Sequence, residues 1–184
     1  RRQRQMCIRD SLEWASGSSL IFDSGCGNGK STLAIARNNP QSVVIGIDKS
    51  TARLSKTSLN DQVPNNAYFV RADLIDFYRL AWSHNLKLER HFMLYPNPWP
   101  KKQHLQRRWH GSPIFPAILG LGGTLELRSN WRIYLEEMSL ALAIAGFDSV
   151  ISPLTFKTAM YMTDFEAKYH LSGQQLYRLT ANLS

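Results

Sequence analysis

Seven residues, Asp23-Ser-Gly25-Cys-Gly27-Asn-Gly29, stand between an apolar run and a helical one. Glycines in that setting let the backbone turn sharply and approach a ligand closely, which is how nucleotide-type ligands are held at the carboxyl end of a strand. A second cluster runs Tyr95-Pro96-Asn97-Pro98-Trp99-Pro100-Lys101-Lys102 and on to Arg107-Arg108-Trp109-His110. Prolines on both sides of Asn97 stiffen its backbone, Trp99 offers a flat face on which a base can stack, and four cations within eight residues suit phosphate contacts. The bland reading of this segment is a proline-stiffened, solvated loop. A third cluster, Thr163-Asp164-Phe165-Glu166, reads on its own as a helix capping box. Arg128, at the end of a strand, either holds a phosphate or pairs with Glu126 or Glu137. His84, His91, His104, His110 and His170 show no metal-ligand spacing, and no Gly-x-Ser-x-Gly elbow is present, so no metal site and no hydrolase nucleophile is expected.

Three readings of the glycine loop compete. A dinucleotide fingerprint needs G-x-G-x-x-G, but Thr32 stands where the third glycine should fall. A phosphate loop matches at Gly29, Lys30 and Ser31 but has Ser24 at its first glycine. The segment resembles in full the D-x-G-x-G-x-G loop of class I S-adenosylmethionine-dependent methyltransferases. That resemblance implies an acid at the end of the next strand, for the ribose hydroxyls, and another after strand three, near the adenine. Asp48 and Asp73 stand at those places. Cys26 inside the loop is expected to be a small filler.

Over nearly its whole length the chain is similar to the tRNA (guanine-N7)-methyltransferase family, whose signature after strand four is Pro-Asp-Pro-Trp-Pro-Lys-Lys. The resemblance implies a single S-adenosylmethionine-binding domain with an RNA partner, tRNA. The expected fold is α/β: a Rossmann-like, seven-stranded, mostly parallel sheet with an antiparallel C-terminal strand and helices on both faces. It assigns Asp23, Gly25, Gly27, Gly29, Asp48 and Asp73 to the methyl donor. It assigns Trp99, Lys101, Asn130, Thr163, Asp164, Phe165 and Glu166 to the substrate, and the catalytic position to Asn97. Gly173 to Leu179 resembles the family's closing strand. The family's basic N-terminal extension is not seen, and the chain opens on Arg1 rather than Met.

Two departures are chemical. The family's carboxylate between the prolines is Asn97 here, and its acid before the tryptophan after strand five is Asn130. Losing a charge-assisted hydrogen bond of about 1.5–3 kcal/mol implies a tenfold to hundredfold lower rate per site if guanine is the substrate. An asparagine can instead pair bidentately with adenine. Asn97-Pro98-Trp99 is also similar to the Asn-Pro-Pro-aromatic motif of amino-group methyltransferases, with the aromatic one residue early. Three alternatives therefore stand beside guanine N7 transfer: methylation of another acceptor such as an exocyclic amino group, RNA binding without catalysis, and a phosphate-loop nucleotidase.

Positioning these clusters requires strands that end where the clusters begin. Short β-rich runs at Ser19–Asp23, Ser42–Asp48, Tyr68–Ala72, His91–Tyr95 and Thr124–Arg128 alternate with helical stretches at Lys30–Asn38, Ser50–Leu59, Asp76–His84 and Trp131–Ala145. Phe147–Ile151 and Leu176–Ala181 are candidates for a final strand pair. With 184 residues and 43% hydrophobic composition the chain has the size of one domain with one core, and disorder is excluded. Met138–Phe147, its longest apolar stretch, is too short to span a bilayer. Two cysteines and no signal-like opening point to a reducing cytoplasm, as a monomer or homodimer. The formal charge of +8 raises the expectation of a polyanionic partner, since Arg90 to Leu125 contains no acidic residue.

Overall fold

The computed structural model describes residues 19–56, 63–156 and 161–184. Strand β1 (Leu20–Ser24) is buried throughout. Its period-two alternation sends Leu20 and Phe22 to one side of the sheet and Ile21 to the other. Leu20 and Phe22 pack with Phe77, Ile118, Leu135 and Met138, whereas Ile21 packs with Leu33, Ile35 and Phe92. A strand buried on both faces needs helices on both, and the chain supplies them.

After β1 come α1 (Lys30–Asn38), β2 (Val43–Asp48), a single turn α2 (Thr51–Leu54), β3 (Ala67–Arg71), α3 (Leu74–Ser83) and β4 (Arg90–Leu94). Two short 3-10 turns, Lys102–Arg107 and Trp109–Gly111, lead into α4 (Phe115–Gly120) and β5 (Thr124–Ser129). The chain finishes with α5 (Arg132–Ile144), β6 (Ser149–Leu154), α6 (Asp164–Leu171) and β7 (Leu176–Asn182). The seven strands are ordered β3-β2-β1-β4-β5-β7-β6. β1 pairs in parallel with both β2 and β4, and β7 is antiparallel to both β5 and β6. The expected mixed sheet is therefore present, with its topological switch between β1 and β4. Helix α1 covers one face, and α3, α4 and α5 cover the other.

Several boundaries differ from expectation, each for a local reason. Asp73 accepts a hydrogen bond from the Ile75 N–H at 2.9 Å, so α3 begins at Leu74 rather than Asp76. The Phe147 N–H returns to the Leu142 carbonyl and closes α5, so β6 begins at Ser149 rather than Phe147. Pro153 is tolerated because β6 is an edge strand. The last part of the helix expected over Ser50–Leu59 lies outside the described residues, as does Cys7. Among the described residues no helix is long and apolar enough to cross a membrane.

The third glycine missing from the loop has a counterpart on the neighbouring strand. A Cβ on Gly46 of β2 would lie 2.4 Å from Thr32 Oγ1 on α1, so glycine on the strand gives the room that a helical glycine would otherwise give. Gly46→Ala should lower the stability by about 1–3 kcal/mol by forcing the two elements apart. Chemical denaturation measures this directly, and an unchanged midpoint would mean that α1 sits farther from β2.

Candidate functional site

At the carboxyl end of β1 the chain turns through three left-handed glycines, Gly25, Gly27 and Gly29, with φ of +82°, +60° and +80°. The N–H groups of Gly25 and Cys26 both donate to the Ile47 carbonyl, at 2.8 and 3.1 Å, which ties the turn to the end of β2. A Cβ on Gly25 or Gly27 would meet nothing within 4 Å, so the loop presents bare backbone to open space. Beneath it, Asp23 is only 1% exposed. Its Oδ2 accepts from the hydroxyls of Ser31 and Thr32, both at 2.6 Å, while Oδ1 is buried without a partner among the described residues. Burial raises the Asp23 pKa to about 6, against the pull of the two hydroxyls and with a small push from Asp48. The same burial, with Asp23 and Asp48 nearby, pushes the Cys26 thiol far up, so this cysteine is a filler rather than a nucleophile.

Asp48 ends β2 beside this loop. Its Oδ2 accepts from the Gly27 N–H at 3.1 Å and from exposed Arg53 at 3.3 Å, and its Oδ1 from the Ser50 N–H at 2.7 Å. A carboxylate offers about four acceptor positions, so capacity is left for a ligand hydroxyl. Asp73 follows β3, exposed and capping α3; the Ala72 N–H donates to the Asp48 carbonyl at 3.2 Å and joins the two strand ends. A bare glycine cradle, an unpaired carboxylate oxygen suited to an ammonium, and an acid suited to a diol fit the amino-acid and ribose ends of S-adenosylmethionine. The phosphate-loop reading fits less well. Lys30 points at Asp164, 3.1 Å away, and the Ser31 hydroxyl is occupied by Asp23.

The loop after β4 is held in an uncommon conformation. Tyr95 and Trp99 both have positive φ, 55° and 44°, at a cost of order 1–3 kcal/mol each. The Trp99 N–H donates to Asn97 Oδ1 at 3.1 Å, and the Trp99 carbonyl accepts from Arg108 Nη2 at 3.0 Å and Nε at 3.3 Å. Arg108 is itself buried and paired with Glu137, on which His110 also rests. Two sequence expectations are corrected here. Trp99 is not a bare stacking face, because the Arg107 guanidinium lies 4.7 Å over its ring and His104 meets it edge-on at 5.3 Å. Nor are all the cations of the segment free, since Arg108 is internal and Arg90 pairs with Glu126 at 3.3 Å. Lys101 and Lys102 remain exposed.

The third cluster is brought in from more than fifty residues downstream in the chain. Thr163 caps α6, its hydroxyl accepting from the Glu166 N–H at 3.0 Å. Glu166 does not complete the capping box. It is 0% exposed, with Oε1 taking Arg128 Nη1 at 2.6 Å and Oε2 the Met162 N–H at 2.7 Å. The carboxylate expected at the substrate is thus spent inside the protein, on Arg128 and the Met162 N–H. Arg128 pairs with Glu126 as well, and not with Glu137. Asp164 reaches the glycine loop through Lys30 and, at 2.9 Å, Asn28. Exposed Phe165 stacks with Tyr95 at 6.4 Å and with Tyr169 at 6.0 Å. Asn130 donates to Gln174 at 2.8 Å. The roles of Asn28, Lys30, Tyr95, Arg108 and Gln174 carry no local sequence signal, because their partners are distant in the chain. Among the described residues no group of three or more His, Cys, Asp or Glu side chains could hold a metal ion.

Residues 18–179 match the profile of a family described as "Putative methyltransferase". The chain is 27% identical over 180 residues to the tRNA (guanine-N(7)-)-methyltransferase of Bacillus subtilis (strain 168), covering 90% of this chain and 81% of that one. It is 30% identical over 171 residues to the protein of the same name from Mycolicibacterium paratuberculosis (strain ATCC BAA-968 / K-10), covering 84% of this chain and 62% of that one. Among solved structures, an antibiotic-related methyltransferase superposes with a TM-score of 0.67 at 18% identity, covering 95% of this chain and 94% of that one. The 16S rRNA methyltransferase KamB does so with 0.64 at 16%, covering 95% and 92%. At these identities the structural likeness is one of fold.

The buried, half-satisfied Asp23 has a consequence for stability. Its folded pKa, about 6, lies above the ordinary value of 3.8, so its protonated form favours folding below pH 4 and that contribution is lost as pH rises to 6. Without ligand, Asp23→Asn should therefore gain stability over the natural chain between pH 4 and 7, by roughly 3 kcal/mol at most. Buried His91, with a folded pKa of about 3, works in the opposite direction in both proteins and cancels from the difference. Paired thermal melts at pH 4 and pH 7 measure it; an unchanging difference would mean that Asp23 is charged throughout.

Proposed function

The chain belongs to this methyltransferase family and has the class I, S-adenosylmethionine-binding fold; from that premise we propose that it methylates guanine N7 in tRNA. The observation that carries this reading is the convergence of three clusters on one sheet edge. Asp164 touches the glycine loop at Lys30 and Asn28, and Phe165 stacks on Tyr95 of the loop after β4. The names of the B. subtilis and mycobacterial relatives support tRNA and guanine N7 as the finer assignment.

S-adenosylmethionine supplies an electrophilic sulfonium methyl group when bound. Asp23 Oδ1 would hold its ammonium, Asp48 its ribose hydroxyls, and Asp73 would stand by its adenine, with Gly25 and Gly27 giving the backbone room to approach. Guanine N7 carries no proton, so the chain needs no general base. Its contribution is positioning and electrostatic stabilisation. Asn97 and Asn130 would align the base, and Thr163 with Glu166 would hold α6 over the site. Lys101, Lys102 and Arg107, exposed beside the loop, would meet RNA phosphates. RNA binding without catalysis is the second reading, favoured by the neutral amides at Asn97 and Asn130.

Incubation with labelled donor and total tRNA, followed by digestion to nucleosides, should yield N7-methylguanosine. Another methylated nucleoside would displace the guanine assignment. Binding of S-adenosylhomocysteine without any product would favour the second reading. The donor half is tested separately: S-adenosylhomocysteine at a hundred times its dissociation constant should stabilise the chain by about 2.7 kcal/mol, and Asp48→Ala should remove most of that shift. Lys101→Ala with Lys102→Ala should weaken tRNA binding and flatten its salt dependence by up to about two phosphate contacts.

A further inference from the structure

Three consecutive residues at the start of α6 reach three different elements. Asp164 bonds the glycine loop, Phe165 stacks on Tyr95 where the loop after β4 begins, and Glu166 is buried against Arg128 at the end of β5. Expected at the substrate, Asp164 instead bonds the loop assigned to the methyl donor, and it uses both oxygens. Oδ1 accepts from Lys30 Nζ at 3.1 Å and Oδ2 from Asn28 Nδ2 at 2.9 Å. The Asn28 amide is oriented for this contact, because its Oδ1 takes the Lys30 N–H at 3.3 Å and leaves Nδ2 for the carboxylate. Helix α1 has no acid in its own first turn, and its N-cap is Gly29, so the anion that its N-terminus favours comes from α6.

A glycine loop bonded to α6 cannot be ordered alone. Order imposed on one by a ligand lowers the ordering cost that a second ligand meets at the other, and the effect is reciprocal. We propose that Asp164 is a positioning residue that couples the two binding steps. Through Asn28 and Lys30, a loop ordered by the methyl donor also holds α6, with Phe165 on Tyr95, in the arrangement that receives RNA. Because the ion pair is exposed, the coupling is a graded effect of a few-fold and not an all-or-none gate. This rests on the reading above that the donor lies in the glycine loop and RNA at this sheet edge, and not on which base is methylated.

The test measures the dissociation constant of total tRNA for the full chain at low salt, with and without saturating S-adenosylhomocysteine. That ligand cannot be turned over and lacks the sulfonium charge, so its own field does not attract RNA. The ratio of the two constants is the coupling factor, from which effects of a substitution on RNA affinity alone cancel. In the natural chain it should be about three- to fivefold in favour of the donor-bound protein. Asp164→Ala should bring it to within about 1.5-fold of unity, and Asp164→Asn, which keeps the shape of the side chain, should already lose most of it. Lys30→Ala should lower the factor in the natural chain and change nothing further in the Asp164→Ala chain, since both remove one contact. Asp76→Ala removes another exposed acid from the first turn of a helix, on α3, and should leave the factor unchanged. A factor of unity in the natural chain with both ligands bound overturns the inference and leaves the methyltransferase reading standing. So does a factor that persists in Asp164→Ala, or one that falls again when Lys30→Ala is added to it. Failure of S-adenosylhomocysteine or of tRNA to bind overturns that reading, and the inference with it.

Discussion

Arg128 joins the end of β5, the start of the loop after β4 and the entry to α6. Its guanidinium lies between Glu126 and Glu166, with contacts of 2.6 Å to each. Its carbonyl accepts from Tyr95, where the loop after β4 begins. Burial alone would lower the Arg128 pKa, but the two carboxylates reverse the sign and hold it above its usual value. Glu166 in turn takes the Met162 N–H, so one buried cation fixes the strand end, the β4 loop and the entry to α6. A buried ion pair contributes little net stability against an apolar replacement, but breaking one by removing a partner is costly, and here it specifies a geometry.

The glycine loop is tied in by a second and weaker set of contacts. Asp164 reaches Lys30 and Asn28 on the exposed surface, where salt screens the attraction. The two sets differ in character: α6 is anchored at its buried side by Glu166 and only lightly held over the donor loop by Asp164.

The net charge of +8 takes on a different meaning once its parts are located. Arg90, Arg108 and Arg128 are paired with Glu126, Glu137 and Glu166 and do not contribute a free basic surface. Arg107 lies over Trp99, yet it and Lys101 and Lys102 are exposed beside the site. The donor side carries Asp23, Asp48 and Asp73. Under the proposed function, a cationic donor and a polyanionic acceptor would meet opposite charges on the two sides of the β1–β4 switch.

Strand ends and the glycine loop were legible in the residues themselves because their signals are local: apolar runs of strand length, glycines that relieve a left-handed turn, and acids at strand ends. The alternation of strands and helices likewise determined the class of fold. Four features were not legible. Gly46 replaces the missing helical glycine only because β2 lies under α1. Trp99 loses a face to Arg107, a cation that the sequence counted as free. Glu166 leaves the capping box that its spacing suggested, since one carboxylate oxygen takes Arg128 and the other the N–H of Met162 rather than that of Thr163. Asn97 was read only as a carboxylate lacking its charge, whereas its Oδ1 also takes the Trp99 N–H and closes the turn between the prolines. The sequence by itself determined which residue types stand at the sheet edge. Only the tertiary structure decided which of their atoms remain free, because hydrogen bonds and ion pairs between distant residues consume donors and acceptors that spacing along the chain cannot count.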